Sequence, residues 1–172
     1  MSEHTSQGTI AVLCSDVPGV LARIVGIIGA QGTNIDGLTV NKLDRKDHGN
    51  GGETQMCIPI SIMDTSERID HTCAVIERLV DVERACKMAD HPEAVELHLA
   101  IARVYIVDPH SQTRVRASAQ RHGAATVDDS ANYQHFITLS LLADKARVAA
   151  FVKEIGAYKR RQIVTCGPFV IL

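Results

Sequence analysis

Asp16-Val17-Pro18-Gly19-Val20-Leu21-Ala22-Arg23-Ile24, followed one helix length later by Gln31-Gly32-Thr33-Asn34-Ile35-Asp36-Gly37-Leu38-Thr39-Val40, decides how the first half of this chain folds. Thr9 to Cys14, just upstream, is a short apolar run rich in β-branched residues that ends at Ser15-Asp16 and a proline, so it reads as a buried strand feeding a helix. Asp16 is the expected N-cap of that helix. Beyond it Val20, Leu21, Ile24, Val25, Ile27 and Ile28 recur at helical spacing with Arg23 off the stripe, which gives a helix packed on one side and wet on the other. Gly32 stops it, and Thr33 to Val40 returns as a strand. A strand-to-helix turn and a helix-to-strand turn of this kind can hold a small amino acid between backbone groups, the work of a sensor and not of a catalyst.

Outward from these turns the pattern continues. Asp44 to Gly52 is polar and glycine-rich, an expected exposed hairpin connection. Met56, Ile58, Ile60 and Ile62 alternate as one face of a strand, and Pro59 within it predicts an edge position or a nearby bulge. Ile69, Cys73, Ile76, Leu79 and Val80 return to helical spacing after Asp64-Thr65-Ser66-Glu67, which offers a cap. Val82, Cys86 and Met88 alternate with charged neighbours as a half-buried strand. The order is βαββαβ, in which two helices cover one sheet face and leave the other open to pairing. Ala89-Asp90-His91-Pro92-Glu93 is a polar break, and the domain boundary is placed there, giving domains 1–90 and 91–172. The same order then repeats: strands over Leu97–Val107, Ala124–Asp128, His135–Leu141 and Gln162–Leu172, helices over Ser111–His122 and Asp144–Ile155. The expected fold is α+β, a ferredoxin-like βαββαβ domain followed by a second α/β sandwich of the same architecture.

Composition narrows the function. A net charge of −2 with 18 scattered basic residues, no tryptophan and 3% aromatics leaves no footprint for nucleic acid. Lys159-Arg160-Arg161, the one tight basic cluster, reads as a solvated turn. Five widely spaced cysteines without a Cys-x-x-Cys pair read as buried, reduced thiols, and neither a signal peptide nor a membrane-length apolar run is visible, so a cytoplasmic location is expected. Cys14, Cys57 and Cys166 fall in strands, where a core role is expected and a nucleophilic one is not. The eight histidines show no metal-ligand spacing, and His71, His110 and His122 are expected to face water. Gly26, Gly29 and Gly32 lie inside or at the end of a helix, unlike a dinucleotide fingerprint, and imply close helix packing and a C-cap. No catalytic residue, metal site or cofactor is expected.

With its first motif, the Gln31-Gly32-Thr33-Asn34-Ile35 segment, the Leu79-Val80-Asp81-Val82 corner and the terminal Thr165-Cys166-Gly167-Pro168-Phe169-Val170-Ile171-Leu172, the chain resembles the small regulatory subunits of acetolactate synthase (acetohydroxyacid synthase). The resemblance spans nearly the whole chain and is stronger in the first half, where it implies an ACT domain. It further implies a non-catalytic protein that stimulates a thiamine-diphosphate-dependent catalytic subunit in branched-chain amino-acid biosynthesis and lets valine restrain it. The implied assembly is a homodimer or larger, with ACT domains pairing side by side. One wall of the effector site would be Asp16, Pro18, Gly19, Val20 and Leu21; the other, from the partner protomer, Asn34 and Ile35. Asp16 stands where the family usually has Asn, and Thr54-Gln55 where it usually has Ser-Arg.

The residues support such a site directly. Unpaired N–H groups where the first helix begins, at Pro18 and Gly19, favour a carboxylate, helped by the helix dipole. Asp16 can accept from a ligand ammonium, while Val20 and Ile35 offer apolar contact. Plainer roles compete: Asp16 as a cap, Asn34 as a turn residue. The alternative reading is a stand-alone ACT-type amino-acid sensor or co-regulator of another enzyme.

Overall fold

The computed structural model describes residues 5–43, 54–129 and 136–171; the connection expected over Asp44–Gly52 and the predicted strand start at His135 lie outside them. By contact the chain divides into Met1–Val95 with Pro168–Leu172, and Glu96–Gly167. The first unit therefore takes in residues 91–95 and 168–172, which the boundary at 90/91 assigned to the second domain.

In the first unit, β1 (Ser6–Ser15) forms where the apolar run predicts a buried strand, with Ile10, Val12 and Cys14 in the core. α1 (Val20–Ala30) lays Val20, Ile24 and Ile28 on that core, and β2 (Ile35–Leu38) and β3 (Asn41–Leu43) follow. β4 (Gln55–Asp64) adds Met56, Ile58, Ile60 and Ile62 to the same face. α2 (Ser66–Ile76) is capped by Thr65, whose hydroxyl accepts from the Arg68 amide, and β5 (Val82–Lys87) closes the sheet. The sheet order β2-β4-β1-β5, with β3 also on β4, is that of a split βαβ sandwich. Each fully buried Ile contributes about 1.5–3 kcal/mol by leaving water.

Several expectations are corrected. The strand predicted over Thr33–Val40 is broken, β2 ending at Leu38 and β3 starting at Asn41. Of the two expectations for Pro59 the edge position is overturned and the bulge is found: β4 is interior, paired with β1 on one side and with β2 and β3 on the other, and the register of β2 shifts between Ile35 and Gly37, opposite Ile62 and Ser61. The Pro59 carbonyl accepts from the Thr39 amide at 3.2 Å. A strand residue points N and O the same way, so the missing donor of Pro59 faces the break between β2 and β3, where no ladder bond is lost. α2 ends at Ile76, and Val80, placed on the helix stripe by spacing, is 96% exposed. Gly26 and Gly29 do not mediate close packing, since a Cβ at either would meet nothing within 4 Å. The sheet face away from the helices is not left open either: Ala11 is buried there with Met88 and Val170, and Cys86 and Ala94 pack against them.

The second unit repeats the plan. β6 (Val95–Tyr105), α3 (Pro109–His122), β7 (Ala125–Asp129), β8 (Phe136–Ala143), α4 (Lys145–Ile155) and β9 (Arg161–Ile171) follow in order, Val95 of β6 and the end of β9 from Pro168 counting with the first unit, and the sheet runs β7-β8-β6-β9. Ala100, Ala102, Val104, Ile137, Leu139 and Leu141 face Val115, Val148, Phe151 and Ile155 across its core. Asp108 and Asp144 cap α3 and α4 by accepting from the amides of Ser111 and Arg147. Gly123 ends α3 at φ 70.

Candidate effector site

The turn between β1 and α1 is where the first motif lies. Gly19, not Asp16, occupies the N-cap, with φ 86 and no side chain bonded to the first-turn amides, so the expected Asp16 cap is corrected. The left-handed conformation explains the glycine, because a Cβ there costs about 1–2 kcal/mol. The Val20 amide reaches the Val17 carbonyl at 3.4 Å and that of Arg23 the Gly19 carbonyl at 3.1 Å, whereas those of Leu21 and Ala22 find no acceptor among the described residues. Space above Gly19 is open. A helix start with free amides, a positive dipole end and no side chain in the way is suited to an anion.

Charges frame this turn. Asp16 makes an ion pair with Lys42 Nζ at 2.6 Å, which raises the Lys42 pKa. Its own amide donates to the Thr54 carbonyl at 2.7 Å. Arg23, one turn along α1, is bonded to Asp81, whose carbonyl accepts from the Ser15 amide at 2.9 Å. Gln55 Nε2 donates to Glu83 at 2.6 Å, and its Oε1 is buried with no partner among the described residues. Lys42, Arg23 and Asp81 were not singled out from the sequence as neighbours of the turn. Only the fold brings these separated positions together.

Pro18 and Gly19 are exposed, Leu21 and Ile35 half-buried, Asn34 exposed and Val20 buried in the core. The second motif lies at the other end of α1. Gly32 takes φ 74, the Thr33 amide reaches the Ile28 carbonyl at 3.4 Å, and Asn34 leads into β2. Eleven residues of helix separate the two turns, about 16 Å at 1.5 Å per residue. Within one chain the opening turn and Asn34 therefore stand apart.

A polar cluster unanticipated from the sequence holds the second turn. Thr33 Oγ1 donates to buried Asp64 at 2.5 Å, the Thr65 amide donates to the same carboxylate at 2.9 Å, and Arg68 Nε lies 2.8 Å from it. Arg68 also donates to the Gln31 carbonyl at 2.7 Å, and the Thr72 hydroxyl to Gln31 Oε1 at 2.5 Å. Burial pushes the Asp64 pKa up, but the Thr33 hydroxyl, the Thr65 amide and Arg68 outweigh it and leave the carboxyl below its ordinary value.

Chemistry of other kinds finds little support. Burial pushes the thiols of Cys14 and Cys73 up to about 11 and about 12, the reverse of an activated nucleophile. Cys166, expected in the core, is exposed. His71 and His110 face water, whereas His122 is largely buried, bonded to Glu154 at 2.8 Å and edge-on to Phe151. Among the described residues no group of His, Cys, Asp and Glu is arranged to hold a metal ion, and no helix is long and apolar enough to cross a membrane.

Residues 8–77, which carry both turns and run from β1 to the end of α2, match the ACT domain family. Over most of its length the chain is similar to proteins named acetolactate synthase small subunit. It is 28% identical to small subunit 2, chloroplastic, of Arabidopsis thaliana over 92% of this chain, which spans 31% of that longer protein. It is 25% identical to the small subunit of Mycobacterium bovis, over 92% of this chain and 88% of that one. The probable small subunit of Archaeoglobus fulgidus is 25% identical over 92% of each chain. The same fold is found in the crystal structure of the Thermotoga maritima acetolactate synthase small subunit, with a TM-score of 0.75, 17% identity and 96% of each chain covered.

Proposed function

We propose that this chain is a non-catalytic regulatory subunit of acetolactate synthase. In this reading it stimulates the thiamine-diphosphate-dependent catalytic subunit and confers feedback inhibition by a branched-chain amino acid, valine, as a homodimer or larger assembly in the cytoplasm. The observation that carries the reading is the match along 92% of this chain to 88% of the Mycobacterium bovis small subunit and 92% of the Archaeoglobus fulgidus one, with an ACT domain match over residues 8–77.

The effector carboxylate would sit over Gly19 on the free amides of Leu21 and Ala22, with Pro18 lining the approach and Leu21 and Ile35 offering apolar contact. The 11 residues of α1 keep Asn34 from reaching that carboxylate in its own protomer, so Asn34 and Ile35 of a second copy would complete the crevice across a twofold contact. Asp16 already holds Lys42, so a ligand ammonium that takes Asp16 displaces that lysine. Regulation follows as linkage: an effector that prefers one arrangement of the dimer shifts the enzyme by that preference, typically about 1–3 kcal/mol.

Reconstitution with the catalytic subunit, with and without valine, leucine and isoleucine, tests the reading. Higher activity with this chain, and loss of that gain with one of the three, is the expected result. Asn34→Ala should weaken the effector response with little change in thermal stability, because the residue is exposed. Unchanged catalysis on addition of this chain would defeat the proposal.

A further inference from the structure

The second unit carries a cleft of about 740 Å³ whose walls include Arg114, Arg121, Tyr158, Lys159 and Arg160, with Glu154 as a carboxylate among them. That volume is in the range of small-molecule sites. Glu154 is already engaged: His122 Nε2 lies 2.8 Å from one oxygen and Arg121 binds the other, and together they pull its pKa down to about 2 against burial. Arg121 is thereby neutralised. Arg114, Lys159 and Arg160 have no carboxylate partner among the described residues, so three cations face one concavity without compensation.

Those cations stand on fixed supports. The turn bearing Lys159 and Arg160 is held by the Tyr105 amide, which donates to the Arg160 carbonyl at 3.0 Å, and by Arg161 Nη1, which donates to the Tyr158 carbonyl at 2.8 Å. Arg114, on α3, lies 5.7 Å from the centroid of the Tyr158 ring. Lys159 and Arg160 stand in the exposed turn that the sequence predicts, and the fold adds Arg114 of α3 and the Tyr158 ring beside them.

We propose that this cleft binds a small organic anion bearing two or more phosphate charges, with Arg114, Lys159 and Arg160 as its ligands and Tyr158 as a wall for its flat or apolar part. Guanidinium groups match phosphate oxygens in pairs, and three cations lining one cleft suit a multiple charge better than a single carboxylate. The site is separate from the amino-acid crevice and does not depend on that reading.

The test is calorimetric titration of the whole chain with inorganic pyrophosphate, with citrate at equal ionic strength as the comparison. Saturable 1:1 binding of pyrophosphate, tighter than citrate, is expected. Arg114→Gln and the double change Lys159→Gln with Arg160→Gln should each weaken it about tenfold or more. Lys153→Gln, an exposed lysine of α4 outside the cleft, should leave it unchanged. Circular dichroism checks folding, and the double variant changes only exposed turn side chains, so its result stands even if Arg114→Gln disturbs the helix. Absence of saturation up to about 10 mM, equal affinity for citrate, or equal weakening by Lys153→Gln overturns the proposal.

Discussion

Gly19 and Lys42 show at the residue scale how one turn can be open and occupied by charge at the same time. A methyl group added at Gly19 would touch nothing within 4 Å, yet φ 86 makes any L-side chain strained. Gly19→Ala should therefore lower stability by about 1–2 kcal/mol through the backbone alone, and Gly19→Asn by less, since Asn tolerates this region; thermal unfolding of the two variants measures the difference. Lys42 offers a sharper test of ligand chemistry. Its Nζ neutralises Asp16 at 2.6 Å while its stem is exposed, so Lys42→Met removes a competitor for the carboxylate without opening a core cavity. If Asp16 receives the effector ammonium, calorimetry should show tighter amino-acid binding by this variant. Unchanged or weaker binding would assign Asp16 to holding Lys42 instead.

Elements were legible in proportion to how far local pattern governs them. The alternation of Met56, Ile58, Ile60 and Ile62 and the stripe from Val20 to Ile28 announced β4 and α1, because one face of each is buried against the other. Pro59 left edge and bulge open because its effect depends on which strand stands opposite: the bulge between Ile35 and Gly37 is there, while the break between Leu38 and Asn41 is a property of pairing, not of the proline. Asp16 misled for a related reason: Gly19 fits the left-handed turn and Lys42, from β3, claims the carboxylate. Gly19 and Asn34 of the proposed crevice could be marked from motif alone, whereas Lys42, Arg23 and Asp81 beside the opening turn could not. The same holds for the Asp64 cluster that ties the end of α1 to α2. Since the folded pKa of Asp64 is depressed, its contribution is fully present above the unfolded value of about 3.9 and is lost as pH falls through the lower folded value. Urea midpoints between pH 6 and pH 2 should fall in that acid window, and Asp64→Asn, less stable at neutral pH, should show a shallower fall.

Across the whole molecule two units share one plan, and each sheet has a second face with its own fate. In the first unit that face holds Ala11, Met88 and Val170, with the Thr39 hydroxyl bonded to the Pro168 carbonyl beside it. In the second, Ile101, Leu142 and Val164 stay exposed. Val170→Asp should destabilise the first unit by placing an unpaired charge in an apolar contact, and hydrogen exchange at β1 should accelerate while that of α4 does not. Because residues 168 to 172 belong with residues 1 to 95, the N-terminal domain is discontinuous along the chain. A ribosome making this protein must translate an entire intervening domain before the first can acquire its final segment. Until then the nascent sheet carries a bare patch around Ala11 and Met88, which makes that interval the point at which chaperone capture or self-association would act. An excised 1–95 fragment would keep the same patch permanently.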